Sequence, residues 1–540
     1  MPEKQIEIRA VFWFVVGLFT LFLAVPAGFL LWQSFATGSG PGLGNYADTL
    51  GDARFLTSFG NSFLVSGVSA LITTVLAFFL AYTVNNTSLP GCVRRMIGGL
   101  TIAPMFLPTI TYGFVIIYSF GREGLLTRLL GFQPFEIYGF NGMLLGYVIY
   151  TLPIAFLLIN NTFKYVDKNF ATVSKVMGDS PLRTFMGTTV RPLVGTLGAA
   201  FIQAFTLSFT DFGIPSSIGG RFDVVAVHLY NEMIGSIPNF ASGSTIAIIM
   251  LLPSVVSIVL IGYLERYNFR YNKISRQEIG RNAARDICCG VGSLALLGLV
   301  ASIFAVMFVV PFVKSWPYYP TFTCDNVIRL LQSSHLTGIY KNSLIVSLCT
   351  AILGTIVSYG AALVAARSEI GNKGKAVINA IALVTNTIPG MVLGIAFLFA
   401  FSGTSLQNTF AILIICNVIH FFTTPYLMGK SSLEKMNRGW ESTALLMGDN
   451  WFKTLFRVII PNSMGTLLEM FSYYFINGMI TISAIIFLVG ARTSVITTKI
   501  KELQHFAKFD EIFVMSILIL LTNIVARAAL SWAVRKRHAQ

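Results

Sequence analysis

The sequence has few charged residues. Asp, Glu, Lys and Arg together make up 11% of the 540 residues, whereas hydrophobic residues make up 54%. A soluble globular protein carries about 25% charged residues, so this chain lacks the polar surface that such a protein needs. Its apolar residues form long runs, and a membrane-spanning helix needs about 20 of them. The composition excludes an ordinary soluble globule and predicts an all-α membrane protein.

Residues with metal or redox chemistry are also scarce. The chain contains six cysteines and five histidines, and neither set shows the spacing of a disulfide framework or a metal site. No Ser/His/Asp or Cys/His constellation stands out. "GKSS" at 429–432 resembles the end of a phosphate-binding loop, but Thr424 stands where that loop needs its first glycine. The sequence therefore predicts no catalytic residue, no metal ligand and no nucleotide site.

About twelve apolar stretches are long enough to cross a membrane. The first is too long for the h-region of a signal peptide, which is about 7 to 15 residues, and is predicted to be a retained span. The predicted spans cover residues 11–33, 60–84, 98–119, 141–160, 193–213, 244–264, 287–312, 339–366, 376–401, 407–427, 463–490 and 511–534.

The net charge of +15 would suggest nucleic acid as the partner of a soluble protein. Here, however, the basic residues lie mainly in alternate loops between the predicted spans. The positive-inside rule makes those loops cytoplasmic, and it predicts that both termini are cytoplasmic. The loop at 491–510, with Lys499, Lys501 and Lys508, is the exception.

The sequence contains an internal repeat. "NSFLVS" at 61–66 recurs as "NSLIVS" at 342–347, and "MGD" at 177–179 recurs at 447–449. The repeat predicts two six-helix halves in parallel orientation, residues 1–264 and 287–540, joined by a basic cytoplasmic linker at 265–286. A repeat of this kind places a transport pathway at the interface between the halves.

A polar turn interrupts the apolar pattern at the same place in each half. The two copies are "VSKVMGDSPLRTFMGTTVRP" at 173–192 and "ALLMGDNWFKTLFRVIIP" at 444–461. Each predicts a helix, a left-handed glycine, a capped second helix and a proline that opens the next span. The predicted cap is Ser180 in the first copy and Asp449 or Asn450 in the second. We call these two segments the first and second elbow.

The second helix of each elbow has a predicted apolar face with basic neighbours. The face comprises Trp451, Phe452, Leu455, Phe456 and Ile459 in the second copy, matched by Leu182, Phe185, Met186 and Val190 in the first. It fits either an interfacial helix on the lipid surface or a knob that docks in a groove of a cytoplasmic partner. Duplication favours docking, because lipid anchoring does not require two related elbows at matching places.

The elbows resemble the cytoplasmic coupling loop of permease subunits of binding-protein-dependent ABC importers. That loop reads Glu-Ala-Ala, three residues, Gly, nine residues, Ile, one residue, Leu-Pro, and Gly448 to Pro461 has this spacing. Ser442-Thr443-Ala444 replaces Glu-Ala-Ala, with Glu441 one residue early; the first copy has Thr172-Val173-Ser174, and its proline is one residue late. The resemblance implies that the following residues couple to an ATPase: Gly178, Asp179, Leu182, Phe185, Pro192, Glu441, Gly448, Asp449, Phe452, Leu455 and Pro461.

The fused arrangement is similar to the ferric-iron, 2-aminoethylphosphonate and thiamine type of these permeases. "TDFGIPSSIGGRFDVVAVHLYNEMIG" at 210–235 resembles a segment of the iron and phosphonate members. The resemblance implies a type I importer fold in a bacterial plasma membrane, surrounded by membrane lipid. It also implies two copies of a separate cytoplasmic ATPase that holds ATP and Mg²⁺, and an external substrate-binding protein. This chain would bind no cofactor and no nucleic acid, and its cargo would be a small charged nutrient.

Two acidic residues are candidates for the pathway, because a charge within a span is costly and usually faces water or the bundle interior. Asp211 is predicted near the outer end of the fifth span, where it contributes to an outer gate, meets cargo released by the binding protein, or is satisfied by solvent or a helix terminus. Glu469 either lines the inner pathway or pairs with Arg527. Asn61 and Asn342 are predicted to cap helices near the outer face.

Two other classes of protein compete with the importer. A secondary transporter also often has two repeats, but it needs coupling-ion residues near the midplane and has no paired docking elbows. A channel or membrane scaffold without active transport is the third hypothesis. A stoichiometric ATPase bound at the elbows would distinguish the importer from both.

Overall fold

The structure is a computed structural model that describes residues 3–38, 40–167, 169–264, 282–437 and 439–538. Most of the predicted linker, 265–281, lies outside the described residues, and its last residues, 282–286, begin a long helix. The described chain is mainly helical, with two short β-hairpins.

The helices of the first half of the sequence are α1 Glu3–Phe19, α2 Val25–Phe35, α3 Gly44–Gly51, α4 Ala53–Asn86, α5 Gly91–Ile102, α6 Thr109–Phe120, α7 Leu125–Leu130, α8 Phe140–Phe163, α9 Asn169–Val176, α10 Pro181–Phe185, α11 Val194–Thr210, α12 Gly213–Ile218, α13 Val225–Ile234 and α14 Phe240–Leu264. Those of the second half are α15 Ala283–Val309, α16 Asp325–Gln332, α17 Ser334–Arg367, α18 Asn372–Thr387, α19 Gly390–Phe401, α20 Phe410–His420, α21 Thr423–Lys435, α22 Gly439–Leu446, α23 Trp451–Thr454, α24 Ile460–Ile480, α25 Ile496–His505 and α26 Phe509–His538.

Short irregular pieces join these helices. π-helical turns cover Thr20–Ala24, Met186–Val190 and Leu455–Ile459, and 3₁₀ turns cover Ala103–Phe106, Arg191–Leu193 and Val310–Phe312. Strands β1 Ala36–Thr37 and β2 Gly40–Pro41 form one antiparallel hairpin, and β3 Val313–Ser315 and β4 Tyr319–Phe322 form the other.

Eight helices in the described part of the chain are long and apolar enough to cross a membrane. Three bent helix pairs raise the number to as many as 11 if each pair is one span. The predicted span at 463–490 corresponds to α24, which ends at Ile480. The all-α membrane fold predicted from the apolar runs is confirmed, but the described residues contain at most 11 such spans where about twelve are predicted, and several of them are broken.

The described helices form two compact units. Unit 1 comprises the described residues of Met1–Thr49, Pro238–Leu251 and Val327–Gln540, and unit 2 those of Leu50–Ile237 and Leu252–Asn326. The first span of each half therefore belongs to the unit built mainly by the other half. The predicted division of the sequence at 264 and 287 stays a prediction about the repeat, because the units group the helices differently.

Specific contacts attach the first span of each half to the unit in which it packs. In unit 1, the ring of Phe19 lies 4.5 Å from that of Phe422, centroid to centroid. In unit 2, α15 begins at a polar latch, where the carboxylate of Asp286 accepts hydrogen bonds from the hydroxyl and the backbone N–H of Ser88. Further along α15, the hydroxyl of Ser293 donates to that of Thr83 at 2.9 Å.

The long second span of each half buries small residues, most of them polar, and exposes large apolar ones. In α4 the buried stripe is Ser58, Ser62, Ser66, Ser69 and Thr73, and in α17 it is Ser343, Ser347, Thr350, Gly354 and Ser358. The outward residues of α4 include Leu64, Leu71 and Val75. This inside-out pattern fits a helix in lipid, where small residues let neighbouring helices approach closely.

Prolines break the third span of each half. The chain bends by 106° before Pro108, between α5 and α6, and by 105° before Pro389, between α18 and α19. Pro153, in contrast, lies inside the continuous helix α8. In the second half the fourth span bends by 54° between α20 and α21, before Pro425. The kinks that proline allows in membrane helices are therefore present at three of these four positions.

Asn61 and Asn342 do not cap helices as predicted, because they lie inside α4 and α17. Their amides instead donate to backbone carbonyls in the loops before α13 and α25: Asn61 to Asp223 at 3.0 Å and Asn342 to Ser494 at 3.1 Å. The prediction was wrong in the role but right in the symmetry, because the same contact recurs in both halves.

Candidate functional site

The two elbows have the same backbone. Gly178 has φ of 82° and Gly448 has φ of 79°, both in the left-handed region that favours glycine. The N–H after each glycine bonds back to the preceding helix: Asp179 to the carbonyl of Ser174 at 3.1 Å, and Asp449 to that of Ala444 at 3.0 Å. This closure is the Schellman motif. The predicted glycine turn is therefore present in both copies.

Side chains then cap the second helix of each elbow. Ser180 accepts from the N–H of Arg183 at 3.3 Å, and Asn450 accepts from the N–H of Lys453 at 2.8 Å. The predicted cap Ser180 is therefore present in the first elbow. Of the two candidates in the second elbow, Asp449 and Asn450, the cap is Asn450. The aspartates pair with the basic residue of the same turn, Asp179 with Arg183 at 3.2 Å and Asp449 with Lys453.

Large apolar side chains project from each elbow. Met177 and Met447 occupy matching places and are each 77% exposed. We call the large apolar residues that are exposed at matching places in both elbows the knob of each elbow. The first knob is Val176, Met177, Leu182 and Met186, and the second is Leu446, Met447, Phe452 and Phe456.

The predicted apolar face of the second elbow is divided between two directions. Phe452 and Phe456 are exposed, whereas Trp451, Leu455 and Ile459 are buried against the core of unit 1. The inward residues anchor the elbow, and the outward ones form the knob.

The first elbow is divided in the same way. Leu182 is exposed, whereas the ring of Phe185 packs edge-on against Phe78 and Tyr82 of α4, with centroids 6.2 and 5.8 Å away. A π-helical turn follows in both copies, before the buried Pro192 and the exposed Pro461.

The sequence analysis missed half of each knob. Val176 and Met177 precede the glycine of the first elbow, and Leu446 and Met447 precede that of the second. The predicted apolar face covers only the helix after the glycine and therefore does not include them. The signal that could have found them is a pair of large apolar residues directly before a glycine turn, repeated in both halves.

Glu441 lies beside a buried arginine. Its Oε2 is 3.6 Å from Nη1 of Arg367, the last residue of α17. The arginine side chain is 4% exposed and the glutamate side chain is 24% exposed. Glu441 is therefore directed toward its own chain in this structure.

The two candidate pathway acids lie in different environments. Asp211 is buried at the end of α11, where it accepts from the N–H of Ile214 at 2.9 Å and from the hydroxyl of Thr109. Glu469 is exposed on α24. Arg527, its suggested partner, instead approaches Ser472, with Nη1 3.5 Å from Oγ. The pathway roles of both acids stay predictions.

A cavity of about 730 Å³ opens in unit 2, and its lining includes Glu123 and Trp316. Arg128 joins two of the residues that line it, with an ion pair to Glu123 at 2.7 Å and a hydrogen bond to the carbonyl of Pro317 at 3.1 Å. The indole N–H of Trp316 donates to the carbonyl of Glu123 at 3.1 Å. The β3–β4 hairpin is thereby joined to the loop after α6.

Residues 73–269 and 358–538 each match the family described as the binding-protein-dependent transport system inner membrane component. Together these stretches make up more than half of the chain, and each contains one elbow. The chain belongs to this family. It is thus a permease of a binding-protein-dependent importer, and it carries the family domain twice.

Two relatives match the permease over most of its length. It is 24% identical over 506 residues to the ferric transport system permease protein FbpB of Actinobacillus pleuropneumoniae, covering 90% of the permease and 72% of that protein. It is 26% identical over 457 residues to the putative ferric transport system permease protein FbpB 1 of Haemophilus influenzae, covering 81% and 70%.

A third relative matches one part of the permease. The molybdenum transport system permease protein ModB of Escherichia coli is 22% identical over 228 residues, which is 41% of the permease and 94% of ModB. A protein of that length corresponds to a single copy of the duplicated domain.

Proposed function

We propose that the permease works in an ATP-driven importer and that each elbow docks one copy of a cytoplasmic ATPase. The observation that carries this proposal is the exposure of Met177 and Met447, each 77% exposed beside a left-handed glycine. Exposed apolar groups that cluster on a surface mark interaction sites. Two matching knobs call for two copies of the same partner.

The contacts around the knobs favour a protein partner over the lipid surface. A helix that binds lipid presents free basic side chains to anionic headgroups. Here two of the basic side chains beside the knobs are paired with aspartates of the same turn, Arg183 with Asp179 and Lys453 with Asp449. The most exposed apolar residues also cluster at the bend, where the chain projects from the helix ends, which suits insertion into a groove. The elbows and both termini would face the cytoplasm.

We infer that ferric iron is the cargo. The two relatives that match most of the permease are named for ferric transport, and this favours iron over 2-aminoethylphosphonate or thiamine. An external binding protein would deliver the cargo to the outer face, and the cavity lined by Glu123 and Trp316 in unit 2 would open on that face. ATP and Mg²⁺ would be held by the partner ATPase.

Native mass spectrometry of the tagged permease purified from its own membrane tests the docking proposal. The wild-type chain should carry two ATPase copies, and glutamate at both Met177 and Met447 should remove them. Glutamates at Cys92 and Asn372, two exposed residues in other loops that the span order predicts to be cytoplasmic, are the matched control and should leave both copies bound. A fully active transporter with no ATPase would refute the proposal.

Uptake in cells tests the cargo. Cells that lack the permease should regain uptake of radiolabelled ferric iron when the wild-type chain is restored. The double glutamate variant at Met177 and Met447 should not restore it, because the ATPase would be lost. Uptake of 2-aminoethylphosphonate or thiamine without uptake of iron would exclude iron as the cargo.

A further inference from the structure

The second elbow is tied to α17 at its entry. Arg367 ends α17, and its guanidinium faces Glu441 in the first turn of α22, with 3.6 Å between Nη1 and Oε2. The arginine side chain is only 4% exposed. A buried charge is stable only when it is paired, so α22 is attracted to the end of α17.

The two charged groups of this ion pair are too far apart for a direct hydrogen bond. A charge-assisted hydrogen bond has a length of about 2.7 to 2.9 Å, which is shorter than the 3.6 Å between Arg367 and Glu441. Nε and Nη1 of Arg367 have no hydrogen-bond partner. If α22 moved slightly toward α17, Oε2 of Glu441 would come within hydrogen-bond distance of Nη1 of Arg367. That buried donor would then have an acceptor, and a buried donor without one costs free energy.

The exit of the second elbow is tied to the same helix. The hydroxyl of Ser463, in the first turn of α24, is hydrogen-bonded to that of Tyr359 in α17 at 2.6 Å. Further along, the hydroxyl of Tyr474 is hydrogen-bonded to that of Ser358 at 2.7 Å. Helix α17 therefore holds the elbow both before and after its turn.

The first elbow lacks this ion pair. Asn86 ends α4 as Arg367 ends α17, and both helices have 34 residues. Ala171 occupies the place of Glu441 relative to the turn glycine. The first elbow is braced internally, because Ser174 donates to Asp179 at 2.7 Å, and it contacts α4 through Phe185. The two elbows are therefore coupled to their spans by different chemistry.

We propose that Arg367 is a positioning residue that transmits movement of the second elbow to α17 through Glu441. This inference rests on the proposed function, because the movement is driven by the ATPase at the knob. Relative to the Glu-Ala-Ala pattern of the coupling loop, Glu441 lies one residue early, and it faces Arg367. The second elbow would then move α17 by an electrostatic contact that opens and closes, whereas the first relies on an apolar contact.

Hydrogen exchange of the purified complex, with and without ATP and vanadate, tests this proposal. In the wild type, ATP should change exchange in both elbows and in the last turns of α17. In Arg367→Gln the ATPase copies and the change in the first elbow should remain, but the change in α17 should be lost. Asn86→Gln, at the matching place of the first half, is the control and should behave like the wild type.

Exchanging the charges of Arg367 and Glu441 distinguishes a loss of coupling from a loss of folding. The single variants Arg367→Glu and Glu441→Arg should each lower ferric iron uptake at least about fivefold, the size of a modest coupling free energy. The double variant with both exchanges should restore most of that loss. An unchanged α17 response in Arg367→Gln, a loss of ATPase from that variant, or a failure of the exchange to restore uptake would each overturn the inference. Absence of ATPase from the wild-type complex would instead refute the proposed function.

Discussion

Ser343 accepts a hydrogen bond from the backbone N–H of Ile496, with 2.7 Å between Oγ and N. Ile496 is the first residue of α25, whose first N–H groups have no partner within the helix. The same contact recurs in unit 2, where Ser62 accepts from the N–H of Val225 at 2.8 Å. The repeated "NS" pair is thus a device that attaches a short helix to the second span of each half.

Removal of this hydroxyl should loosen α25. In Ser343→Ala the buried N–H of Ile496 loses its acceptor, which should lower the free energy of unfolding by about 1 to 3 kcal/mol. Thermal unfolding in detergent measures the loss, and hydrogen exchange should show it in α25. Ser236→Ala, at an exposed serine, is the control. Equal melting temperatures for the two variants would contradict the prediction.

Gly354 is needed because the ring of Tyr474 lies against its backbone. A Cβ at this position would stand 2.6 Å from two ring carbons, well inside van der Waals contact. Gly354→Ala should therefore lower the free energy of unfolding by about 1 to 3 kcal/mol through overpacking. Gly338→Ala, in the same helix but with nothing within 4 Å, should raise it by about 0.5 to 1 kcal/mol. Thermal unfolding compares the two, and effects of the same sign would contradict this account.

The elbow glycines should respond to substitution through backbone strain alone. A Cβ at Gly178 or Gly448 meets no atom within 4 Å, yet both residues have positive φ. Alanine at Gly448 should therefore cost about 1 to 2 kcal/mol, and asparagine should cost less because it tolerates this conformation. Hydrogen exchange in α22 reports the strain. A larger effect of asparagine than of alanine would show that side-chain volume, not φ, is limiting.

Lys501, in α25, should give the stability a dependence on alkaline pH. Burial lowers the pKa of Lys501 from 10.5 to about 8. Between these values the folded state releases the proton while the unfolded state keeps it, so the free energy of unfolding should rise with pH. Below about pH 8 both states are protonated, and the cost of burying the charge is fully present.

Thermal unfolding at about pH 7.5 and about pH 9.5 measures this dependence. Lys501→Met should remove the part of the rise that belongs to Lys501. Lys508→Met, at a lysine with a half-exposed side chain, should leave that part in place. Identical pH profiles for the wild type and Lys501→Met would rule out this role.

The repeat, the apolar spans and the elbow turns could be predicted because they depend on local sequence. Apolar runs report the length of a span, and Gly448 and Asn450 impose the turn and the cap by their own conformational preferences. The prediction failed where the role depended on a distant partner. Asn342 looks like a cap, yet it lies inside α17 and bonds to Ser494.

The tertiary structure alone decided which side of each elbow faces outward. Trp451 and Phe452 are adjacent and both aromatic, but Trp451 is buried and Phe452 is exposed. It also decided that the first span of each half packs in the unit built mainly by the other half, and that Glu441 meets Arg367. Local pattern specifies that a helix has an apolar face. Which neighbour covers that face depends on packing between segments far apart in the chain, which no local preference encodes.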